Sequence, residues 1–316
     1  MDVLISVIMS VYNSEKHLKK SIESILNQSF TDFEFIIIND KSNDKSEKIL
    51  DEFAQKDERI KLYTNEKNLG LTKSLNIALR LAKGKYIARM DADDISFDNR
   101  FQSQFGFLEN DKSIFLLGSW AVEIDEMGKE KALLKPVKYP KDISRVLAKQ
   151  NTIIHPSIMF RNEGNNFYRE KFKYAQDYDF YLCLLSKGKQ FANFSEVLIK
   201  YRISKSSISI QKNTQQRLFT QKANFFYHER EEYNKDSYDS FEPIDILSGS
   251  LINHSNRIGL QSDIYMALKF FDEKLIRNRI KKYFKNYGFF NKFLLYYIIS
   301  YFGKDFYLKI RKNLSL

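Results

Sequence analysis

Three carboxylates fall within four residues, Asp91-Ala92-Asp93-Asp94, straight after the apolar run Tyr86-Ile87-Ala88-Arg89-Met90. Like charges this close repel one another and cost solvation where they are buried. Clustered carboxylate oxygens are also the ligand set that a hard divalent cation takes. A lone Asp-x-Asp reads best as a solvated turn. Here the ends of other apolar runs supply matching polar residues: Tyr12-Asn13 after the first, Asp40 after the second, and Asn68-Leu69-Gly70 ahead of a helix, where glycine permits close backbone approach. Ligands of open α/β sheets bind beyond the carboxyl ends of the strands, so the gathered set reads as a site. Asp177 and Asp179 open a later amphipathic segment. Residue type and position alone favour a helix cap over a proton acceptor.

The elements that must position these residues alternate. Apolar runs over 5–11, 33–38, 60–64 and 86–90 have strand length, and the first is apolar on both faces, as a covered parallel strand requires. Between them Leu18, Ile22, Ile25 and Leu26, then Ile49, Leu50 and Phe53, then residues 71–82 follow the helical period. Asn13 or Ser14 is the expected cap of the first helix, and Lys83-Gly84 the expected stop of the third. Strand and helix in alternation predict a mostly parallel sheet with helices on both faces, an α/β fold. Further on, residues 100–109 and 177–187 read as helices, and 114–122, 151–160 and 198–203 as strands. From 211 onward the pattern is mainly helical, which sets the expected division at 1–210 and 211–316.

Composition narrows the classes. The chain has 316 residues, 43% of them hydrophobic, with 11 Gly, 4 Pro and a single cysteine, Cys183, so no intrachain disulfide can form. That usage suits a reducing cytoplasm. The N-terminus runs into a patterned strand without a basic leader, and no apolar stretch approaches the roughly 20 residues of a spanning helix. No glycine-rich dinucleotide fingerprint or P-loop follows the first strand. His17, His155, His228 and His254 are scattered without zinc-ligand spacing. Of the net charge of +11, residues 269–316 carry +9, from 12 Lys/Arg against 3 Asp/Glu. This basic, aromatic tail suits a helix lying on an anionic membrane surface. The alternative is packing on the catalytic domain or on a second subunit of a homo-oligomer. Nucleic acid is disfavoured, because no RNA or DNA motif accompanies the charge.

The ordered segments SVIMSVYN, FIIINDKSND, NLGLTKSLNIALRLAKGKYIARMDADD, NRFQSQFGFLE, HPSIMFR, YAQDYDFYLCL and YRISKSSIS resemble the family 2 glycosyltransferases of GT-A fold over roughly residues 3 to 210. Each segment is weak alone; the ordered set is specific. The resemblance implies one nucleotide-diphospho-sugar binding domain and a reaction that inverts the anomeric centre. It places Tyr12 and Asp40 around the base and ribose. Asp93 then binds a divalent metal, Mn²⁺ or Mg²⁺, with Asp91 near the ribose and the metal. Asp94 and Arg100 steady the loop and donor pocket, and Asp177 is the general base, with Asp179 as the alternate. The family often has Glu before the base, where this chain has Gln176. It also often has His shortly after the Tyr-Arg pair, whereas Tyr201-Arg202 is followed by Ile203-Ser204, which leaves Arg202 or Lys205 to meet the phosphates.

The implied activity is transfer of a sugar from a nucleotide-diphospho-sugar, UDP-linked by expectation, to a hydroxyl of a lipid-linked or growing surface glycan. The enzyme would sit in the cytoplasm, peripheral on the inner face of the plasma membrane. A nucleotidyltransferase of related fold would carry a glycine-rich phosphate loop after the first strand. A non-catalytic membrane-associated scaffold has no need of Asp91, Asp93 and Asp177. His155, before Pro156, is read equally as a pocket wall or as a buried polar residue. Cys183 is read as packing.

Overall fold

The computed structural model describes residues 3–203, 213–247, 260, 264, 268, 273–288 and 293–303. The expected boundary at 210, Lys205, and Phe289 and Phe290 of the tail lie outside the described residues. The chain divides into two compact units, residues 1–204 with 222–241, and residues 205–221 with 242–316.

In the first unit β1 (Ile5–Val11), β2 (Phe33–Asn39), β3 (Ile60–Thr64) and β4 (Tyr86–Arg89) pair in the order β3-β2-β1-β4, all parallel. Ile5, Val7, Met9 and Val11 on one face of β1 and Ile8 on the other are wholly buried. A strand covered on both sides must be apolar throughout, which is why its sequence does not alternate. The connecting helices α1 (Leu18–Leu26), α2 (Ser46–Ala54) and α3 (Leu71–Leu81) bury Leu18, Ile22 and Ile25, then Leu50, then Leu75, Ala78 and Leu79. The protein is thus a mixed α/β fold, parallel where the acidic residues emerge.

Beyond β4 the direction reverses. β8 (Met159–Arg161) is antiparallel to both β4 and β6 (Ile114–Ile124), and β9 (Gln190–Arg202) runs parallel to β6. The short β5 (Ile95–Ser96) pairs with β9, and β7 (Glu130–Leu134) with β6. Helices α4 (Arg100–Asn110), α5 (Pro140–Leu147) and α6 (Gln176–Ser186) complete this half. Residues 222–233 of α7 (Asn213–Tyr233) belong to the same unit.

Three local expectations are corrected. The strand expected over 151–160 forms only at its end, because Pro156 supplies no N–H and His155–Ser157 closes a 3-10 turn. Asn13 and Ser14 do not cap α1 with their side chains: the Ser14 carbonyl accepts the N–H groups of His17 and Leu18, while Asn13 Oδ1 accepts the N–H of Asn43. Gly84 is no left-handed helix stop. Ala82 already turns the chain extended, and a Cβ at Gly84 would stand 2.4 Å from the backbone nitrogen of Ser6. That glycine lets the α3–β4 connection lie against β1.

The second unit has a small core of its own. Ile276, Ile280 and Tyr283 of α9 (Glu273–Tyr287) and Phe293 and Ile299 of α10 (Phe293–Ile299) pack with Leu260, Ile264 and Leu268. A one-turn helix, α8 (Ile244–Leu247), precedes them. No helix among the described residues is long and apolar enough to cross a membrane.

Candidate active site

The polar ends of the parallel strands share one sheet edge. At the β1 end Tyr12 is 48% exposed, and Asn13 turns the chain with φ of 49°. The N–H of Asn13 donates to Ser42 Oγ at 3.1 Å, which ties the β1 and β2 ends together. Asp40, expected around the base and ribose, stands at the end of β2. It is almost wholly buried, and both its oxygens hold the turn ahead of α3. Oδ1 accepts from Asn65 Nδ2 (2.8 Å) and the Leu69 N–H (2.7 Å), and Oδ2 accepts from the Gly70 N–H (2.8 Å). Gly70 takes φ of 85°, which explains why glycine stands there.

The β4 end carries the acidic cluster. One carboxylate oxygen from each of Asp91, Asp93 and Asp94 lies within 4.8 Å of the others. Each is held differently. Asp91 is gripped in a two-bond fork by Arg89, whose Nη1 donates at 2.6 Å and whose Nη2 donates to the other oxygen. Asp94 is 1% exposed; its Oδ1 accepts the Arg202 N–H at 2.7 Å, and its Oδ2 has no partner. Asp93 accepts no side-chain hydrogen bond among the described residues. Burial first, and the Asp91 charge second, push the Asp93 carboxyl up to about 6. Burial and both neighbouring carboxylates push Asp94 well above the usual range.

The loop is fixed from below and from the side. Ser21 Oγ of α1 donates to the Asp91 carbonyl at 2.7 Å. Arg202, at the end of β9, donates from Nε to the Asp93 carbonyl (2.7 Å) and from Nη1 to the carbonyls of Asp125 (2.6 Å) and Glu126 (3.2 Å). Arg100 does not face a ligand. It is fully buried, and its Nη2 donates to the carbonyls of Arg89 (2.8 Å) and Ile158 (3.2 Å). Arg100, expected to steady the loop and donor pocket, supports the loop from beneath through these two bonds.

Asp177 and Asp179 part company in the first turn of α6. Asp179 is fully buried, with its oxygens bonded by Arg169 Nε (2.8 Å) and Nη2. Arg169 also pairs with Asp236 at 2.6 Å. Asp177 is half-buried and accepts one neutral side-chain bond, from Asn151 Nδ2 at 2.7 Å. Burial raises its pKa, opposed by the Tyr178 N–H, by the Arg89 charge and by Asn151. Ala175, immediately before α6, is held left-handed at φ of 53°, a conformation that costs an L-residue energy and must be imposed by its surroundings. Gln176 is buried beside it. His155 is buried too: its Nε2 lies 2.8 Å from the Tyr168 hydroxyl, and burial lowers its pKa well below the ordinary value.

Sequence reasoning missed Arg89, Asn151 and Arg169. Arg89 sits inside an apolar run, and only its spacing of two from Asp91, on the same side of a strand, offered a signal. A cavity of about 460 Å³ beside α6 is lined by Arg169, Cys183, Lys187, Arg230 and Asp236 among others. None of the expected site residues lines it. Burial pushes the Cys183 thiol up to about 12.

Residues 6–171, more than half of the chain, match the model of the family described as Glycosyl transferase family 2. The chain belongs to that family. This glycosyltransferase is 42% identical over 222 residues to an uncharacterized glycosyltransferase of Methanocaldococcus jannaschii, covering 69% of this chain and 77% of the relative. It is 35% identical over 241 residues to the O-antigen biosynthesis glycosyltransferase WbnJ of Escherichia coli, covering 73% of this chain and 87% of that one. A crystal structure of S. aureus TarS, residues 1–349, in complex with UDP superposes with a TM-score of 0.56 at 17% identity, covering 90% of this chain and 89% of that fragment. That likeness establishes a shared fold, the GT-A architecture.

Proposed function

We propose that this glycosyltransferase moves a sugar from a UDP-linked donor to a hydroxyl of a growing or lipid-linked surface glycan, with inversion at the anomeric carbon. The reading rests on one observation: two carboxylate centres with opposite upkeep. At the β4 end Asp94 Oδ2 is buried without a partner beside Asp93. At the α6 start Asp177 accepts its one side-chain bond from a neutral amide, while its neighbour Asp179 is locked in an ion pair. The UDP held by TarS and the O-antigen role in the name of WbnJ favour the donor and acceptor classes.

The acidic cluster fits a divalent cation. Its donor set is all carboxylate oxygen, one oxygen is orphaned, and burial, with like-charge repulsion second, raises the pKa of Asp93 and Asp94. In this reading Asp93, with Asp91 beside it in the grip of Arg89, would hold Mn²⁺ or Mg²⁺, and Asp94 adds a third carboxylate to the same cluster. A cation there supplies positive charge against the leaving diphosphate. Tyr12 offers an exposed ring beside the donor base. Asp40 acts by shaping the turn at Gly70, and Arg202 by clamping the acidic loop to the β6–β7 turn.

Asp177 takes the proton of the acceptor hydroxyl as it attacks, a contribution of about 10²–10⁴-fold for a well-placed base. One base and direct displacement give inversion without a covalent intermediate. A lipid-linked acceptor would place the enzyme at a membrane face. The deciding experiment is a thermal-shift screen of nucleotide sugars with Mn²⁺ or Mg²⁺, followed by turnover of the stabilising donor. A UDP-sugar that raises the melting temperature and is hydrolysed or transferred supports the reading; stabilisation by none, with no turnover, overturns it.

A further inference from the structure

The second unit presents one face on which apolar and cationic side chains lie together. Leu295 and Ile298 of α10 are 41% and 48% exposed, and the turn that follows carries Tyr301 at 56% and Phe302 at 62%. Positions 295, 298 and 302 are three and four residues apart, so they share one side of the helix. Phe293 and Ile299 of the same helix are buried in the unit's own core. The helix winds on beyond Ile299 through i→i+3 bonds, from the Tyr301 N–H to the Ile298 carbonyl (3.1 Å) and from the Phe302 N–H to the Ile299 carbonyl (3.0 Å). The stripe therefore continues across the helix end.

Positive charge borders this stripe. Helix α9 has six Lys/Arg and one Glu, and that Glu273 is bonded by Arg277 Nη2 at 2.8 Å. The Arg277 guanidinium lies 4.6 Å from the centre of the Tyr301 ring, which joins the charged helix to the apolar stripe. Tyr301 and Tyr297 stack edge to face at 5.5 Å, their hydroxyls 3.1 Å apart. Lys274, Lys281 and Lys285 of α9 are exposed, four to seven residues apart, while Ile276, Ile280 and Tyr283 turn inward.

We infer that this face docks on an anionic lipid bilayer, with Leu295, Ile298, Tyr301 and Phe302 entering the headgroup boundary and the α9 lysines meeting the lipid phosphates. The charge decides between a bilayer and a second copy of the chain. A two-fold contact would set the same cationic helix against itself, whereas an anionic surface complements it. The stripe covers about two helical turns, which suits shallow burial of a helix lying in the interface plane. The inference rests on the proposed lipid-linked acceptor only for its purpose, since the face exists whatever sugar is moved.

The test uses the full chain and sedimentation with vesicles, either phosphatidylcholine alone or phosphatidylcholine with phosphatidylglycerol. The expected result is binding to the anionic vesicles at low salt, weaker but present at high salt, and much less binding to the neutral ones. Lys281→Gln with Lys285→Gln should weaken binding by about fivefold per charge and flatten its salt dependence. Leu295→Ser with Ile298→Ser should weaken it at every salt concentration. All these side chains are exposed, so the melting temperature and donor turnover of both variants should match the parent. Turnover without vesicle binding overturns this inference and leaves the proposed activity standing. Vesicle binding without turnover of any nucleotide sugar does the reverse. A dimer in light scattering that the serine variant dissociates, with no vesicle binding by the parent, assigns the face to a second copy and overturns the membrane reading.

Discussion

Arg169 holds Asp179 in a two-bond fork, and so separates it from Asp177, two residues earlier on the same helical turn. A carboxylate whose two oxygens are filled by a guanidinium in a buried site is a poor proton acceptor. The one bonded to a neutral amide keeps lone pairs for substrate. The two residues should therefore respond differently to the same substitution. Asp177→Asn should retain donor binding within about tenfold, or roughly 1.4 kcal/mol, and lose turnover by about 10²-fold or more. Asp179→Asn should lose stability first, because it breaks the buried two-bond fork and leaves Arg169 with Asp236 as its one carboxylate partner among the described residues, a change of about 1–3 kcal/mol. Calorimetry, melting temperature and turnover on both variants check this. Turnover surviving in Asp177→Asn and lost in a folded Asp179→Asn would reverse the assignment.

The raised pKa of Asp177 fixes the direction of a pH effect. A base must be ionised to act, so turnover should fall as pH drops through its pKa. Burial moves that acid limb above the range of an ordinary Asp. Asn151 donates to the ionised form, so Asn151→Ala should raise the pKa further and move the limb to higher pH. The pH profile of kcat in the two proteins is the measurement. An unchanged limb beside a lowered kcat would mean that Asn151 positions Asp177 without tuning it.

The parallel half of the fold was legible because its strands are buried on both faces and the helices between them keep one apolar side. Ile5–Val11 and Tyr86–Arg89 leave little other choice. The other half was less so. Strand β9 was expected only from residue 198, because Asn193, Ser195 and Glu196 break the apolar pattern where its register with β6 shifts. Strand β7 was missed because it is exposed over most of its length, and α5 because only Ile143 and Leu147 anchor it. At the site, residue types named Asp91, Asp93 and Asp177. The sequence could not show that Asp40 is consumed by Leu69 and Gly70, or Arg100 by the carbonyls of Arg89 and Ile158, since such partners are set by tertiary approach.

Two glycines that look alike in the sequence should fail in different ways. Gly84→Ala places a Cβ 2.4 Å from the Ser6 nitrogen, so β1 and the α3–β4 connection must part, an overpacking cost of about 1–3 kcal/mol. Gly70→Ala meets no atom within 4 Å but must hold φ of 85° with ψ of 159°, a region essentially reserved for glycine, at about 1–3 kcal/mol. Relaxation of that strain would pull its N–H from Asp40. Denaturant melts should show both losses. Donor affinity should fall in the Gly70 variant and hold in the folded fraction of the Gly84 variant; the opposite pattern would detach the Gly70 turn from the site.

The acidic cluster yields the last prediction, in which stability and pH are linked by sign. Asp93 titrates near 6 in the folded protein against 3.8 for an unperturbed carboxyl. Between those values the folded state holds more protons than the unfolded state, so stability should fall as pH rises through the window. Above it the full cost of the crowded charges is present, and Asp94, raised by burial and by both neighbouring carboxylates, acts in the same direction. Asp93→Asn removes one of the repelling charges and keeps the shape. In metal-free buffer near pH 7 it should melt no lower than the parent, and the fall in melting temperature between pH 4 and 6 should shrink. Added Mn²⁺ or Mg²⁺ should raise the melting temperature of the parent by mass action, and that of Asp93→Asn much less. Donor turnover should be lost in the variant and in excess EDTA. A variant that melts well below the parent without metal would show that Asp93 is held by a stabilising partner. Full turnover in EDTA would remove the cation from the reaction and leave the diphosphate charge to protein groups alone.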